Sequence, residues 1–164
     1  MRVDPAELRR VAGHFATGVM VLTAEHEGRP CGLTVNAFMT VSLEPPLVLV
    51  SIGRGSRSLP CVEGASRFAL SILAEGQEEI SRLFASKDED KLGKVRTQAG
   101  QSGMPLLEGA IAHLECRTAR RVEGGDHVLF LAEVEAVRSH AGSPLLFYQG
   151  RYTATAGPPA GDDR

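Results

Sequence analysis

Residues 111–137, IAHLECRTARRVEGGDHVLFLAEVEAV, carry the strongest strand signal in this chain. Apolar and β-branched side chains run through both halves of the stretch, and the polar segment Glu123-Gly124-Gly125-Asp126 separates them. Two such runs joined by a short glycine-containing turn are typical of a β-hairpin. We therefore expect a long hairpin, formed by residues 111–122 and 127–137, to organise the fold.

Shorter strand patterns precede and follow this hairpin. A second hairpin is indicated by two apolar runs around a polar turn, and further strands by an uninterrupted apolar run and by period-two alternation. The predicted strands are residues 18–23, 31–35, 47–52, 67–73, 145–148 and 151–153. After residue 35 we expect a polar, irregular loop that leads to Pro45-Pro46, because proline cannot donate to a ladder.

Helices are predicted only at the periphery. Asp4, Pro5 and Glu7 have the spacing of a capping box with a first-turn proline, which indicates a helix over residues 5–15. Two more helices are expected near residues 59–63 and 77–85, and the charged segment 86–103 is expected to be a surface excursion.

The fold class that agrees best with this order is mainly β. Six or more strands with a few peripheral helices favour an antiparallel split β-barrel over alternating βαβ units. We expect one domain over residues 1–155, followed by a disordered tail at 156–164, which contains two prolines and two glycines.

Size and charge exclude several classes of protein. The chain has 164 residues and a formal net charge of -2, which does not fit a protein that grips a nucleic-acid backbone or an anionic membrane. No apolar run approaches the roughly 20 residues that cross a bilayer, and the N-terminus does not resemble a signal peptide. A cytoplasmic location is the default expectation.

Cysteine and histidine spacing gives no metal site. Cys31, Cys61 and Cys116 are odd in number, far apart and outside any C-x-x-C pair, so we expect buried thiols and not a disulfide framework. The five histidines show no closely spaced pair, and we assign no metal.

Residues 53–58, Gly-Arg-Gly-Ser-Arg-Ser, are the first candidate binding segment. They follow a strand and precede a helix, as a dinucleotide fingerprint does, but Ser58 stands at the third glycine position. Two arginines and two hydroxyls can still bind a phosphate, and a solvated turn is the alternative interpretation. Lys87 and Lys91 either neutralise a phosphate or solubilise the surface.

Two other positions offer polar groups at strand ends. Residues 34–38, Thr-Val-Asn-Ala-Phe, could hydrogen-bond the edge of a heterocycle, or Asn36 could satisfy its own turn. His127, at the head of an apolar strand, could donate to a ligand carboxamide or simply flank the turn. No Ser-His-Asp or Cys-His arrangement is recognisable, so general acid–base or covalent catalysis is poorly supported.

Five motifs occur in an order that resembles a known family. They are FATGV at 15–19, GLTVNAFMTVSLEPP at 32–46, GDH at 125–127 followed by Leu129-Phe130, Glu133-Val134, and PLLFYQG at 144–150. From about Leu8 to Tyr152 the chain resembles the flavin reductase family with the FMN-binding split-barrel fold. The likeness is closest to the small reductase components of two-component flavin-dependent monooxygenases.

The resemblance implies a homodimer with FMN or FAD in each barrel, near the subunit interface, and a set of site residues. The segment at Thr34, Val35, Asn36, Ala37 and Phe38 would line the isoalloxazine and ribityl chain, and Ser51, Gly53, Arg54, Ser56, Arg57 and Ser58 would serve the phosphate. Phe84, Ser86 and Lys87 would lie along the flavin, and Tyr148 and Tyr152 would border the cleft. His127 would lie near the nicotinamide. Ala37 replaces a serine of many relatives, which removes one hydroxyl partner.

The implied activity is reduction of FMN or FAD by NADH or NADPH. Reduced flavin would then diffuse to a separate monooxygenase component. Because the cofactors carry the chemistry, the protein needs few titratable side chains. Two alternatives remain: a non-catalytic flavin-binding module, and an FMN-retaining oxidase that acts on a small organic substrate. The sequence leaves the choice of flavin and of nicotinamide donor open.

Overall fold

A computed structural model describes residues 3–156 of the chain. Its strands are β1 (Thr17–Gly18), β2 (Met20–His26), β3 (Arg29–Val35), β4 (Phe38–Leu43), β5 (Pro46–Gly53), β6 (Arg67–Ile72), β7 (Thr97–Ala99), β8 (Pro105–Leu107), β9 (Ala112–Gly124), β10 (His127–Ser139), β11 (Leu146–Tyr148) and β12 (Arg151–Thr153). The helices are α1 (Pro5–Ala12), α2 (Leu59–Gly64) and α3 (Glu78–Ala85), with short 3₁₀ turns at Glu75–Gln77 and Leu92–Lys94.

Seven strands form one antiparallel sheet in the order β3-β2-β6-β9-β10-β5-β4. Within residues 3–156 no ladder joins the two edge strands, β3 and β4, so the curled sheet stays open between them. Side chains from β2, β3, β5, β6 and β10 meet in one apolar core. The mainly β class with peripheral helices is therefore confirmed.

The long hairpin of β9 and β10 is confirmed, and each strand ends two residues later than predicted, β9 at Gly124 and β10 at Ser139. Its turn consists of Gly125 and Asp126, and Gly125 has a φ of +70°, a conformation that glycine adopts without steric cost. The hairpin register pairs His127 with Gly53 at the end of β5. This pairing brings the GDH turn to the same edge of the sheet as the loop after β5.

Helix α1 is shorter than predicted. It ends at Ala12, and the chain turns at Gly13, so Phe15 lies outside the helix. The N-cap prediction is confirmed, because the Asp4 carboxylate accepts from the Glu7 N–H at 3.3 Å. None of the α1 side chains is buried, and Leu8, Val11 and Phe15 leave an apolar surface exposed.

The irregular loop predicted after residue 35 was wrong for most of its length. Only Asn36 and Ala37 separate β3 from β4, and β4 pairs with β5 along the edge of the sheet. Met39, Val41 and Leu43 on β4 are exposed, so the strand lacks the buried apolar face that alternation normally reveals. Pro46 begins β5, a position where proline is tolerated.

The expectation of three unpaired thiols was wrong for two of them. Cys31 on β3 and Cys61 in α2 form a disulfide with a Cα–Cα distance of 6.5 Å. The two residues are 30 positions apart, and only the docking of α2 against β3 makes them neighbours, which no local spacing reveals. Cys116 is a buried free thiol, as predicted, and burial raises its pKa to about 12.

Two smaller sheets accompany the large one within the described residues. The charged segment at 86–103 contains β7, which pairs with β8, and β11 pairs with both β1 and β12. None of the helices in residues 3–156 has the length and apolar character needed to cross a bilayer. Apart from Ala156, the predicted tail lies outside the described residues.

Candidate functional site

A cavity of about 450 Å³ lies where the sheet is open. Its walls are the end of β3, the end of β5, the loop that leads to α2, and the segment that follows α3. The lining residues are Leu33, Thr34, Val35, Asn36, Ala37, Ser51, Ile52, Gly53, Gly55, Ser56, Arg57, Ser58, Phe84, Ala85, Ser86, Lys87, Lys91 and His127.

The inner wall of the cavity is apolar. Val35 and Phe84 are buried, and Leu33 and Ile52 continue the same surface. Gly32 allows β3 to approach the Phe84 ring, because a Cβ at this glycine would lie 2.5 Å from a ring carbon. An aromatic or heterocyclic ring system is the type of ligand that such a wall accepts.

The opposite end of the cavity is basic. Arg57, Lys87 and Lys91 line it, and the lining includes no carboxylate among the described residues. The Arg57 guanidinium donates to the Lys87 carbonyl at 3.2 Å, which links the loop before α2 to the segment after α3. Ser58 Oγ donates to the Gly32 carbonyl at 2.9 Å and ties the loop to β3. Cations and hydroxyls at one end suit an anionic group such as a phosphate.

Lys91 is held in place by main-chain acceptors. Its Nζ donates to the Phe84 carbonyl at 2.9 Å and to the Gly32 carbonyl at 3.4 Å. Partial burial lowers the pKa of Lys91 and the neighbouring Arg57 charge adds to this effect, whereas Asp88 opposes it. The lysine thus combines a structural role with a charge at the basic end.

His127 is oriented by its neighbour in the turn. The Asp126 carboxylate lies 2.8 Å from Nδ1, and this hydrogen bond lowers the pKa of Asp126. Because a carboxylate can only accept, Nδ1 carries the proton, and in the neutral ring Nε2 is an acceptor. The ring lies over Gly53, since a Cβ at that glycine would be 3.6 Å from Nε2.

Most of the residues predicted for the site line this cavity. From the predicted set, the structure brings together Thr34, Val35, Asn36, Ala37, Ser51, Gly53, Ser56, Arg57, Ser58, Phe84, Ser86, Lys87 and His127. It places Phe38, Arg54, Tyr148 and Tyr152 outside the lining. The cavity therefore gathers residues from four separate segments of the sequence.

The four outlying residues have other contacts. Arg54 forms an ion pair with Glu123 and donates to the Gly125 carbonyl at 3.1 Å, so it supports the hairpin turn. Tyr152 contacts α3, where its hydroxyl lies 2.8 Å from Ser81 Oγ. Tyr148 meets the ring of His14 edge-on, and Phe38 contacts the main core.

Five lining residues were not assigned individually: Leu33, Ile52, Gly55, Ala85 and Lys91, of which Gly55 belongs to the candidate segment 53–58. Leu33 and Ile52 are apolar strand residues, and the sequence pattern gives them no signal beyond core packing. Lys91 was considered as a phosphate partner without being assigned. Its distance from residues 53–58 in the sequence hides the fact that both segments meet at the Gly32 carbonyl.

This arrangement suits a planar ligand that ends in an anionic group. Within residues 3–156, no group of three or more His, Cys, Asp or Glu side chains is arranged to hold a metal ion. A model of the flavin reductase like domain matches residues 12–156. The chain belongs to the flavin reductase family.

Two relatives and one solved structure illustrate the likeness of this family member. It is 40% identical, over 93% of its length and 83% of the relative's, to the reductase subunit of a flavin-dependent monooxygenase from Mycobacterium tuberculosis. It is 41% identical to an NADH-dependent FMN reductase from Streptomyces nodosus, over 93% of this chain and 85% of that one. The NADH:FAD oxidoreductase of Streptomyces globisporus, solved with NAD and FAD fragments, is 41% identical over 99% of both chains, with a TM-score of 0.89.

Proposed function

We propose that this chain is an NAD(P)H-dependent flavin reductase that supplies reduced FMN or FAD to a separate flavin-dependent monooxygenase. The observation that carries the proposal is one cavity with an apolar wall, a basic end and a carboxylate-oriented histidine at its rim. The relative from Mycobacterium tuberculosis supports the assignment as a monooxygenase component.

The cavity fits a flavin nucleotide. Its volume of about 450 Å³ lies within the range of roughly 300 to 1,000 Å³ that ligand pockets span. Arg57 and Lys87 would hold the phosphate through charge-assisted hydrogen bonds, and Val35 and Phe84 would contact the ring system. The bound flavin would accept a hydride from the reduced nicotinamide.

The backbone at the end of β3 would orient the flavin edge. The Ala37 carbonyl accepts from the Ser51 N–H at 3.0 Å, and the Phe38 N–H donates to the Asn36 carbonyl at 3.2 Å. The Asn36 amide also donates to Thr17 Oγ1 at 3.3 Å. These bonds fix the segment without the serine hydroxyl that Ala37 replaces, so a preorganised polar edge remains.

We assign His127 to the nicotinamide donor. With Nδ1–H committed to Asp126, the neutral ring presents Nε2 as an acceptor over Gly53. A carboxamide N–H of the donor suits this acceptor, which differs from the sequence expectation that the ring would donate. The role is positioning of the donor, because hydride transfer needs no proton at this ring.

We also propose a homodimer. Apolar side chains are exposed on α1, in the turn after it and on the edge strand β4, where Leu8 is 59%, Phe15 is 80% and Leu43 is 86% exposed, respectively. An exposed, apolar edge strand invites pairing with another chain. Sedimentation analysis should show a dimer that Val41→Glu disrupts. The control is Val137→Glu, which alters an exposed valine on β10; equal behaviour of both variants would reject this interface.

The proposed domain covers residues 1–155, and the proposed location is the cytoplasm. A reductase that passes reduced flavin by diffusion must share a compartment with its NAD(P)H supply and its partner oxygenase. Disulfides are rare in the cytosol, so the Cys31–Cys61 bond makes location testable. Cell fractionation should recover the protein with cytosolic markers, and thiol labelling of that fraction reports whether Cys31 and Cys61 are bonded. Recovery of the protein outside the cytosol would reject the assignment.

The activity test combines two flavins with two nicotinamide donors under anaerobic conditions. We expect loss of the visible absorbance of oxidised flavin in at least one of the four mixtures. No reaction in any mixture, with flavin retained through gel filtration, would indicate a binding module. A protein that purifies yellow and consumes oxygen with an organic substrate alone would indicate an oxidase.

A further inference from the structure

A disulfide lies directly beside the candidate site. Cys31 of β3 is bonded to Cys61 of α2 and precedes Gly32 in the chain. The Gly32 carbonyl accepts from Ser58 Oγ at 2.9 Å and from Lys91 Nζ at 3.4 Å. Both of these side chains belong to residues that line the cavity. The disulfide is therefore one residue away from the point where the loop before α2 and the segment after α3 are hydrogen-bonded to β3.

We propose that Cys31 and Cys61 form a reversible redox site: oxidation of the two thiols by hydrogen peroxide tightens flavin binding, and reduction of the disulfide by a cellular thiol loosens it. The inference rests on the proposed function, since it requires a flavin in the cavity beside the pair. Disulfides of cytosolic proteins are usually transient and catalytic or redox-sensing, which agrees with the proposed location.

The three cysteines of the chain differ in their access to solvent. Cys31 is partly exposed and lines a second cavity of about 450 Å³, which shares Arg57 and Lys87 with the first one. Cys61 is partly exposed as well. Cys116 is 0% exposed, and burial raises the pKa of its thiol to about 12. Because a thiol must be accessible and must ionise to react with peroxide, the pair can be oxidised, whereas Cys116 is protected.

The proposed function itself supplies the oxidant. Reduced flavin that meets O₂ away from the partner oxygenase transfers two electrons and two protons to it, which gives oxidised flavin and hydrogen peroxide. Peroxide therefore accumulates when reduced flavin leaves the reductase faster than the oxygenase consumes it.

The oxidation proceeds in two steps. The Cys31 thiolate attacks one peroxide oxygen, the O–O bond breaks and hydroxide leaves, so that Cys31 becomes a sulfenic acid. The Cys61 thiolate then attacks the Cys31 sulfur and displaces a second hydroxide, which forms the S–S bond. The two protons released by the thiols convert both hydroxides to water. Two molecules of a cellular thiol reverse the reaction by exchange and end as their own disulfide.

The state of the pair sets the freedom of the loop that carries Arg57. Cys61 lies three residues after Ser58, at the start of α2. With the S–S bond formed, this segment is fixed to β3 both covalently and through the hydrogen bond from Ser58 to the Gly32 carbonyl. With the S–S bond broken, the hydrogen bond remains and the covalent restraint is lost. A loop that is already held in its binding conformation loses less entropy when a ligand binds, so the oxidised chain should hold the flavin phosphate more tightly.

The reduced pair is also compatible with the local structure. The Arg29 carbonyl oxygen lies 3.7 Å from Cys61 Sγ and can accept a hydrogen bond from a thiol at this position. Cys31 lines an open cavity, where water can solvate its thiol. Both redox states therefore fit the packing of α2 against β3.

The direction of the switch limits the loss of reduced flavin. When peroxide accumulates, formation of the disulfide retains the flavin on the reductase, and less reduced flavin reaches O₂ in solution. When the peroxide is consumed, cellular thiols reduce the pair and the flavin exchanges freely again.

The test compares the two redox states of the unmodified full chain. One sample is reduced with a phosphine and desalted under nitrogen, and a portion of it is then treated with a small excess of hydrogen peroxide. Alkylation and mass spectrometry should find Cys31 and Cys61 free in the reduced sample and bonded after peroxide. Titration with FMN should give a dissociation constant about fivefold lower for the oxidised chain. Equal dissociation constants, or no disulfide after peroxide, would overturn the proposal.

Turnover separates this proposal from the proposed function. Both redox states should reduce FMN with NADH or NADPH under anaerobic conditions. Turnover in both states with equal FMN dissociation constants would overturn the redox site alone. Absence of turnover in both states would instead reject the proposed function.

Two variants assign the effect to the pair. Cys61→Ser leaves Cys31 without its partner, so peroxide should produce a sulfenic acid at Cys31 that a dimedone probe captures. Its FMN affinity should equal that of the reduced unmodified chain before and after peroxide, which also reports correct folding. The matched control is Cys116→Ala, in which peroxide should still change FMN affinity about fivefold. Loss of this response in folded Cys116→Ala, or its persistence in Cys61→Ser, would overturn the assignment.

Discussion

Two histidines of the same hairpin lie in opposite environments. His113 on β9 is 2% exposed, and its Nδ1 lies 3.1 Å from Ser71 Oγ, which in turn accepts from the Leu107 N–H. The His127 side chain at the start of β10 is 45% exposed, and its Nδ1 is hydrogen-bonded to the exposed Asp126 carboxylate. One histidine is enclosed by the protein, and the other faces a cavity.

The same contrast extends to the surroundings of each histidine. Near His113, the buried Glu115 accepts from the Gln101 N–H at 2.9 Å and from the Ser102 N–H at 2.6 Å. Near His127, Arg57 and Lys87 face a cavity that can hold a ligand. Polar groups of the first kind stabilise the fold, whereas those of the second kind are available for binding. Substitution of His113 should therefore change mainly stability, whereas substitution of His127 should change mainly activity.

The largest expected effect is a loss of stability at the cavity end, where the Cys31–Cys61 disulfide links β3 to α2. Replacing Cys31 and Cys61 together by serine should lower the free energy of unfolding by roughly 3 to 4 kcal/mol, because a closed loop of about 30 residues is released. Urea unfolding measures the loss. A reductant should destabilise the unmodified chain and leave the double variant unchanged. Insensitivity of the unmodified chain to reductant would contradict this prediction.

The next largest effect is expected for His113→Ala, which tests whether this histidine serves the stability of the fold and not the cavity. Loss of a buried ring and of its hydrogen bond to Ser71 should cost about 2 to 3 kcal/mol in urea unfolding. Flavin affinity and the KM for the nicotinamide should stay within about twofold, because His113 is not among the residues that line the cavity. A large loss of activity with unchanged stability would reverse the assignment of the two histidines.

His127→Ala is the complementary test. We expect kcat/KM for the nicotinamide to fall about tenfold and flavin affinity to stay within about twofold, as expected for one lost hydrogen bond to the donor. Stability should change by less than about 0.5 kcal/mol, since the side chain is half exposed. Asp126→Asn should have a smaller effect in the same direction. Unchanged nicotinamide KM and kcat would remove His127 from the site.

The smallest effect concerns the pH dependence of stability. Burial lowers the pKa of His113 from 6.5, and His140 and Arg138 act in the same direction, whereas Glu115 opposes them. The unfolded state therefore binds more protons at this ring than the folded state once the pH falls below about 6.5. The His113 contribution to stability should be complete above that pH and should decrease below it. Urea midpoints across this range should fall less steeply in His113→Asn than in the unmodified chain, and parallel curves would contradict the mechanism.

The sequence predicts the main hairpin well because its two strands alternate over many residues and share a short turn. It does not reveal β4, whose apolar side chains are exposed on an edge. The sequence also hides the Cys31–Cys61 bond, because it depends on the packing of α2 against β3. Long-range packing sets both features.

Prediction of the site has a similar limit. Residues 34–37 and 53–58 attract attention because polar groups stand at strand ends, and the structure places most of them at one cavity. The direction of an individual side chain is not visible in the sequence, however. Arg54 and Arg57 are three positions apart, yet one contacts the hairpin turn and the other lines the cavity.

The most direct test of the account is the location of a bound flavin in crystals of this protein soaked with FAD. The account predicts density for the ring system between residues 36–37 and His127, with phosphate density beside Arg57 and Lys87. A cavity closed by the protein's own side chains, or a flavin bound elsewhere on the molecule, would contradict it.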